Sequence, residues 1–454
     1  MSCSTEGIRF LRACQADRAM KIQRHVVAAI VTVLGLGFGP NPSFAEGART
    51  DNQIAYYQQL LTRNPRNSKA YYGLGDALIR KAREIGDPDY FNRAEEALKR
   101  SLEIAPNNAG AMRHLAYVFY SRHEFEAAAT HARKAIEMDA TDGDSYGILG
   151  DALLEVGKYD EAKAAYEKMM QLEDSLYSRS RLAGMKSFHG DTAGSIADLE
   201  RAIAVGKEAK QPAESIAWTE WQLGSDHFAL GNLPEAERCY LQSLKTYPNY
   251  YRALAGLAQL RGAQKRYDEA IDLYQKAIAI LPMPDYAAAL GDIYTKIGRS
   301  EQARQQYELV EYIGRLNAIN KILYNRELAY FYADHDIKLK ESLELAQREL
   351  DYRRDIYAYD VVAWNLYKNG KAEEARDAIE KALSLGTRDA RLFYHAGMIY
   401  HSLHAKDKAQ ECLARALRTN PFFHPIFAET AAQALKQLER SVQQAGVEGQ
   451  GQGG

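Results

Sequence analysis

The side chains of this 454-residue chain that could do chemistry are thirty tyrosines, three tryptophans and eleven histidines, and few stand at spacings a reaction requires. His401 and His404 lie three apart with Asp407 just beyond. That spacing puts two imidazoles on one helical face, but two ligands are too few for a zinc site, so the pair reads as surface histidines. His123-Glu124 lacks the second histidine of a zinc hydrolase, and neither a Gly-x-Ser-x-Gly elbow nor a phosphate-binding glycine loop ending in Lys-Ser or Lys-Thr occurs. No catalytic residue, metal or cofactor is therefore expected. What remains is aromatic. Tyr and Trp offer large contact area at low rotamer entropy, with a polar handle, which suits holding another molecule rather than transforming it.

The elements that position these aromatics follow from a repeat. Small residues recur as Ala94, Ala128, Ala162, Ser195, Ala236, Ala270, Ala303, Ser342, Ala375 and Ala409, at steps of 33 or 34 residues with two longer steps of 41 and 39. About thirteen residues earlier a second column keeps phase, as in Leu74-Gly75, Leu149-Gly150, Leu223-Gly224 and Leu290-Gly291. Within a unit apolar residues follow helical spacing twice, as in Tyr146, Leu149, Leu153 and then Ala162, Tyr166, Met169, around the turn Gly157-Lys158-Tyr159-Asp160. Each unit is thus two antiparallel helices, with the Gly or Ala after the Leu placed at their crossing and the Ala of the second helix facing it. Pro106, Pro248, Pro282 and Pro421 punctuate the units twelve residues after the Ala, where proline can end one helix and open the next. The long steps predict extended helices or loops near 206–215 and 314–321, and the first unit carries extra residues near 84–90.

This pattern resembles the tetratricopeptide repeat over residues 68–421, with Glu349 standing where the eighth unit should carry a small residue. The resemblance implies an all-α, right-handed superhelical solenoid of about ten helical hairpins with terminal capping helices. It also implies a concave groove lined by the first helices, which would hold a protein or peptide ligand. Projected onto that frame, the groove residues are Arg113, Tyr120, Trp218, Trp221, Phe228, Tyr330, Tyr357, Trp364, Tyr367 and Tyr394. The three tryptophans, off the packing columns, are the expected surface-facing anchors. Charged residues on the same face, Arg252 and Asp285 among them, are mixed in sign, and the paired Lys and Asn by which family members clamp a terminal carboxylate are missing. The stretch Arg353 to Asp360, followed by Gly386-Thr387-Arg388-Asp389-Ala390, reads as inter-repeat hydrogen bonding that sets superhelical pitch, with a rim binding site as the alternative.

The ends complete the organisation. Lys21 and Arg24, the apolar run from Val26 to Phe38, and Ser43-Phe44-Ala45 read as a signal peptide cleaved before Glu46, within an upstream extension 1–45 whose true start is Met20. Thirteen apolar residues fall short of the roughly 20 that span a bilayer, an uncleaved inner-membrane anchor being the alternative. Residues 46–67 read as an N-terminal capping helix, 422–442 as a closing one, and 443–454, rich in Gly and Gln, as a disordered tail. Cleavage leaves Cys239 and Cys412, too far apart along the array to pair, and a net charge of about −5, which gives no footprint for nucleic acid. The expectation is a periplasmic or secreted interaction scaffold. An accessory subunit of an envelope machine, for polysaccharide export or outer-membrane assembly, is the runner-up, and an enzyme with a groove active site the least favoured reading.

Overall fold

The computed structural model describes residues 42–85, 87, 89–319 and 325–450. The expected signal segment up to residue 41 lies outside the described residues. The chain divides into two compact units, Met1–Thr50 and Asp51–Gly454, and the second carries the repeats. Every element among the described residues is helical. After the helix Pro42–Arg63 come ten hairpins: Ser68–Ile85 with Asp89–Ile104, Ala109–Ser121 with Phe125–Met138, Gly143–Glu155 with Tyr159–Leu172, Leu176–Phe188 with Thr192–Glu208, Ala213–Ala229 with Leu233–Thr246, Tyr251–Ala263 with Tyr267–Ile280, Pro284–Lys296 with Ser300–Ile319, Asn325–Asp334 with Leu339–Glu349, Ile356–Lys368 with Ala372–Ala382, and Ala390–Ser402 with Lys406–Thr419. Each hairpin packs against the next, and these are repeats 1 to 10. The 41-residue step is taken up by two 17-residue helices, Thr192–Glu208 and Ala213–Ala229. The 39-residue step extends Ser300–Ile319 to 20 residues.

The alanine column is fully buried, Ala94, Ala128, Ala162, Ala236, Ala270, Ala375 and Ala409 at 0% exposure. A larger side chain there would overpack the hairpin, at about 1–3 kcal/mol. The glycine column differs from expectation in its partner. A Cβ on Gly75, Gly150, Gly224, Gly291 or Gly397 would run into Leu98, Tyr166, Tyr240, Tyr307 or Leu413, the residue four places after the column alanine. One helical turn beyond the alanine, a large side chain fills the crossing, and glycine makes room for it. The two serines of the column have polar partners on the following repeat. Ser195 donates to Asp226 at 2.6 Å and Ser342 to Asn365, and Ser342 also reaches the Ala329 carbonyl of its own hairpin.

The ends depart from the sequence reading in two respects. The first helix begins at Pro42, before the expected cleavage point, and the closing helix runs Phe427–Gln450, beyond residue 442. Its Ala431, Ala434 and Leu438 are buried, so it covers the apolar face that repeat 10 would otherwise expose.

Winding brings repeats 3 to 5 against the segments that precede repeat 9, repeat 10 and the closing helix, through contacts between residues 192 to 199 apart. The last carbonyls of a helix have no partner within it. Here the late loops supply one. The Arg354 N–H donates to the Glu155 carbonyl at 2.8 Å, the Thr387 hydroxyl to that of Phe188, and Asn420 Nδ2 to that of Phe228 at 2.8 Å. Gly157 and Gly190, in the left-handed region at φ +76° and +77°, seat these loops: a Cβ on either would lie 2.5 Å from the carbonyl oxygen of Arg354 or Gly386. The Arg353-Arg354 stretch thus joins neighbouring repeats and also bridges across a superhelical turn.

Candidate functional site

The expected groove residues do not form one surface. Trp364 is 2% exposed. Its indole donates Nε1–H to Asp334 at 2.8 Å and stacks on His395 at 4.1 Å and on Tyr367 at 5.0 Å. The expectation of a surface-facing Trp364 is therefore corrected: polar side chains of repeats 8 to 10 close over it. Arg391 also reaches Asp334, at 2.7 Å, and lies over the Tyr330 ring at 4.1 Å. Asp360 accepts from Tyr330 at 2.7 Å and pairs with buried His395 at 2.9 Å. Tyr394 is buried too, under Phe423 and Phe427 of the closing segment. Phe228 is buried among Tyr240, Leu257 and Leu260. These three belong to the core, because the adjacent repeat or cap covers the face that a lone hairpin would expose.

Tyr120, Tyr357 and Arg113 are half-buried and engaged within the array. Tyr120 packs edge-on to Phe125 at 5.6 Å, and Tyr357 edge-on to Phe188 at 5.7 Å, across the superhelical turn. Arg113 pairs with Asp142 at 2.8 Å and Asp144 at 3.3 Å. Beside them Arg353, 5% exposed, lies between Glu155 at 2.6 Å and Glu349 at 2.9 Å and over the Phe125 ring at 4.9 Å. Glu349 is where the repeat pattern expects a small residue, and the buried guanidinium explains it. Burial pushes the Glu349 carboxyl up to about 7 even though Arg353 and Arg326 oppose the shift.

The interior is bridged at two further places by side chains four units apart. Arg83 of repeat 1 meets Glu214 of repeat 5 at 3.0 Å. Asp292 of repeat 7 meets His424 ahead of the closing helix at 3.2 Å, and also His335 of repeat 8 at 2.8 Å. Burial alone would raise the Asp292 carboxyl, but the two imidazoles outweigh it and hold the group well below the usual carboxylate range. Burial would likewise lower His335, but the hydrogen bond and charge of Asp292, with the Phe331 carbonyl, together outweigh it and raise it.

The aromatic set that stays accessible lies on repeats 5 to 7. Trp218 and Trp221 are half-buried neighbours with ring centroids 6.4 Å apart. Arg252 stands 5.2 Å over the Trp221 ring and 5.2 Å over that of Tyr251, which leads on to Tyr286 at 6.4 Å. Arg113, Arg181, Arg326 and Arg391 each hold a carboxylate within ion-pair distance. Arg252 holds none among the described residues, although Asp285 is near enough to feel its charge. Sequence reading placed Trp218, Trp221 and Arg252 on this face and missed Tyr251 and Tyr286. The run Tyr247-Pro-Asn-Tyr-Tyr-Arg252 is the signal that marks Tyr251. Elsewhere, His401 and His404 line a small pocket with Lys406, Gln437 and Leu438. Among the described residues no three His, Cys, Asp or Glu group to hold a metal ion, Cys239 and Cys412 are free, and no helix is long and apolar enough to cross a membrane.

Comparison with known proteins identifies the repeat. Profiles of the tetratricopeptide repeat match residues 54–87, 89–144, 131–164, 215–283 and 390–423. The chain is similar to a TPR repeat-containing protein of Methanocaldococcus jannaschii, 24% identical over 82% of this chain and 67% of that one. It is also similar to Cellulose synthase 1 operon protein C of Komagataeibacter xylinus, 28% identical over 41% of this chain, but it spans only 14% of that protein. Among solved structures the human IFIT1 dimer aligns over 74% of this chain and 76% of its own, at 15% identity and a TM-score of 0.48.

Proposed function

Starting from the fact that the chain is a tetratricopeptide-repeat protein, a fold of protein-interaction scaffolds, we infer that it holds an extended segment of a partner protein on the first helices of repeats 5 to 7. The observation that carries this reading is Arg252, a half-buried guanidinium between two aromatic rings with no carboxylate in ion-pair contact among the described residues. An acidic side chain of the partner would complete the pair in a site partly screened from water, where a charge-assisted bond is stronger than at an open surface. Trp218, Trp221, Tyr251 and Tyr286 supply the apolar contact around it. Affinity capture from the native source tests this: Trp218→Ala/Trp221→Ala and Arg252→Gln should each lose a protein that wild type retains. Equal capture by all three forms overturns the assignment.

Export is part of the same reading, resting on Lys21, Arg24, the apolar run 26–38 and the small residues Ser43 and Ala45. Amino-terminal sequencing of the protein from its native host should return Glu46; an intact Met1 or Met20 overturns it. The likeness to a cellulose synthase operon protein is consistent with work beside an envelope machine.

A further inference from the structure

We propose that the three loops lying against repeats 3 to 5 form a latch, which opens as one unit while the hairpins stay folded and thereby gives a partner sideways access to the interior. The inference rests on a contrast in what holds the two kinds of contact together. Hairpin stacks on hairpin through buried alanines and large apolar side chains. The seam between superhelical turns is held instead by a narrow set of contacts: the buried Arg353–Glu155 ion pair, the Tyr159 and Phe188 rings against the late repeats, and a few polar contacts. Arg354 pairs with Glu126 at 2.8 Å through side chains that are largely exposed. The Ile356 N–H donates to the Tyr159 hydroxyl at 2.9 Å, and three loop donors cap three helix carbonyls. Repeat arrays take their stability from nearest neighbours, so a contact six repeats along the chain adds to the stack without being needed by it. Few in number, and including ion pairs whose charges water can take over when the seam parts, these contacts belong to the part of the molecule that opens first.

The three contacts act together because each flank is a stiff stack. Loops ahead of repeats 9 and 10 and the closing helix ride on one run of packed hairpins, and the turns of repeats 3, 4 and 5 on another. Loosening one contact therefore loosens the rest. Opening separates Phe188 from Tyr357 and Arg353 from Phe125, and bares the Tyr120 side of repeat 2.

Peptide-resolved hydrogen exchange on the full chain tests the latch. Thr387→Val removes the hydroxyl that caps Phe188 and preserves side-chain shape. It should speed exchange about three- to tenfold at the Arg354 and Ile356 amides, more than thirty residues away, and leave the helix Tyr251–Ala263 unchanged. Glu126→Lys, a surface change facing Arg354, should do the same and raise the radius of gyration in solution scattering at unchanged helix content. Acceleration confined to the neighbourhood of residue 387, uniform acceleration along the chain, or none at all would each overturn the proposal.

Discussion

Replacing Gly157 by alanine probes the seam against a control that the molecule itself supplies. Gly157 and Gly298 occupy the same turn of their hairpins at nearly the same backbone angle, φ +76° and +75°. A Cβ at 298 meets nothing within 4 Å, whereas one at 157 lies 2.5 Å from the Arg354 carbonyl oxygen. Alanine at either position takes on the left-handed strain, about 1–2 kcal/mol. At 157 the opposing backbone must also retreat by about 0.9 Å to reach the 3.4 Å of ordinary contact. That shift weakens the Arg354 N–H bond to the Glu155 carbonyl and the Arg353 ion pair, adding about 1–3 kcal/mol. In urea unfolding followed by circular dichroism, Gly157→Ala should show an early partial transition or a lower midpoint than Gly298→Ala, with Gly190→Ala behaving like Gly157→Ala. Coincident curves for Gly157→Ala and Gly298→Ala would refute the reasoning, because strain in the turn would then account for everything.

Three other outcomes follow from the same geometry. Trp364→Ala should cost about 3–5 kcal/mol, as a fully buried aromatic whose loss also removes one of the two partners of Asp334, while Trp218→Ala stays below about 1 kcal/mol; urea midpoints distinguish them. The Asp292 junction should weaken at both pH extremes: His335, raised in the fold, contributes stability present below its ordinary 6.5 and lost as pH rises through the higher folded value, and Asp292, depressed, contributes stability present above 3.8 and lost on acidification. His335→Gln should flatten the alkaline limb of the melting temperature between pH 6 and 9. Glu349, raised to about 7, makes folding more favourable as pH falls from 7 toward 4.5, and Glu349→Gln should remove that slope.

The period of 34 residues and its two small-residue columns determined the hairpins, their order and the buried alanines, because each hairpin's packing depends on residues inside it and on the next unit along. The likeness of the columns even located Trp218, Trp221 and Arg252 on the first helices. What those columns leave open is the identity of the covering neighbour. Trp364 lies off the packing columns and is buried by Asp334 and His395 of adjacent repeats; Tyr394 is buried by Phe423 and Phe427; Glu349 looks like an error in the pattern until Arg353 is seen to reach it. The seam is further still from the linear pattern. Whether Gly157 meets Arg354 or open solvent depends on the pitch accumulated over six repeats, a sum of small rotations that no single repeat encodes, and only the folded array brings residues 197 apart into contact.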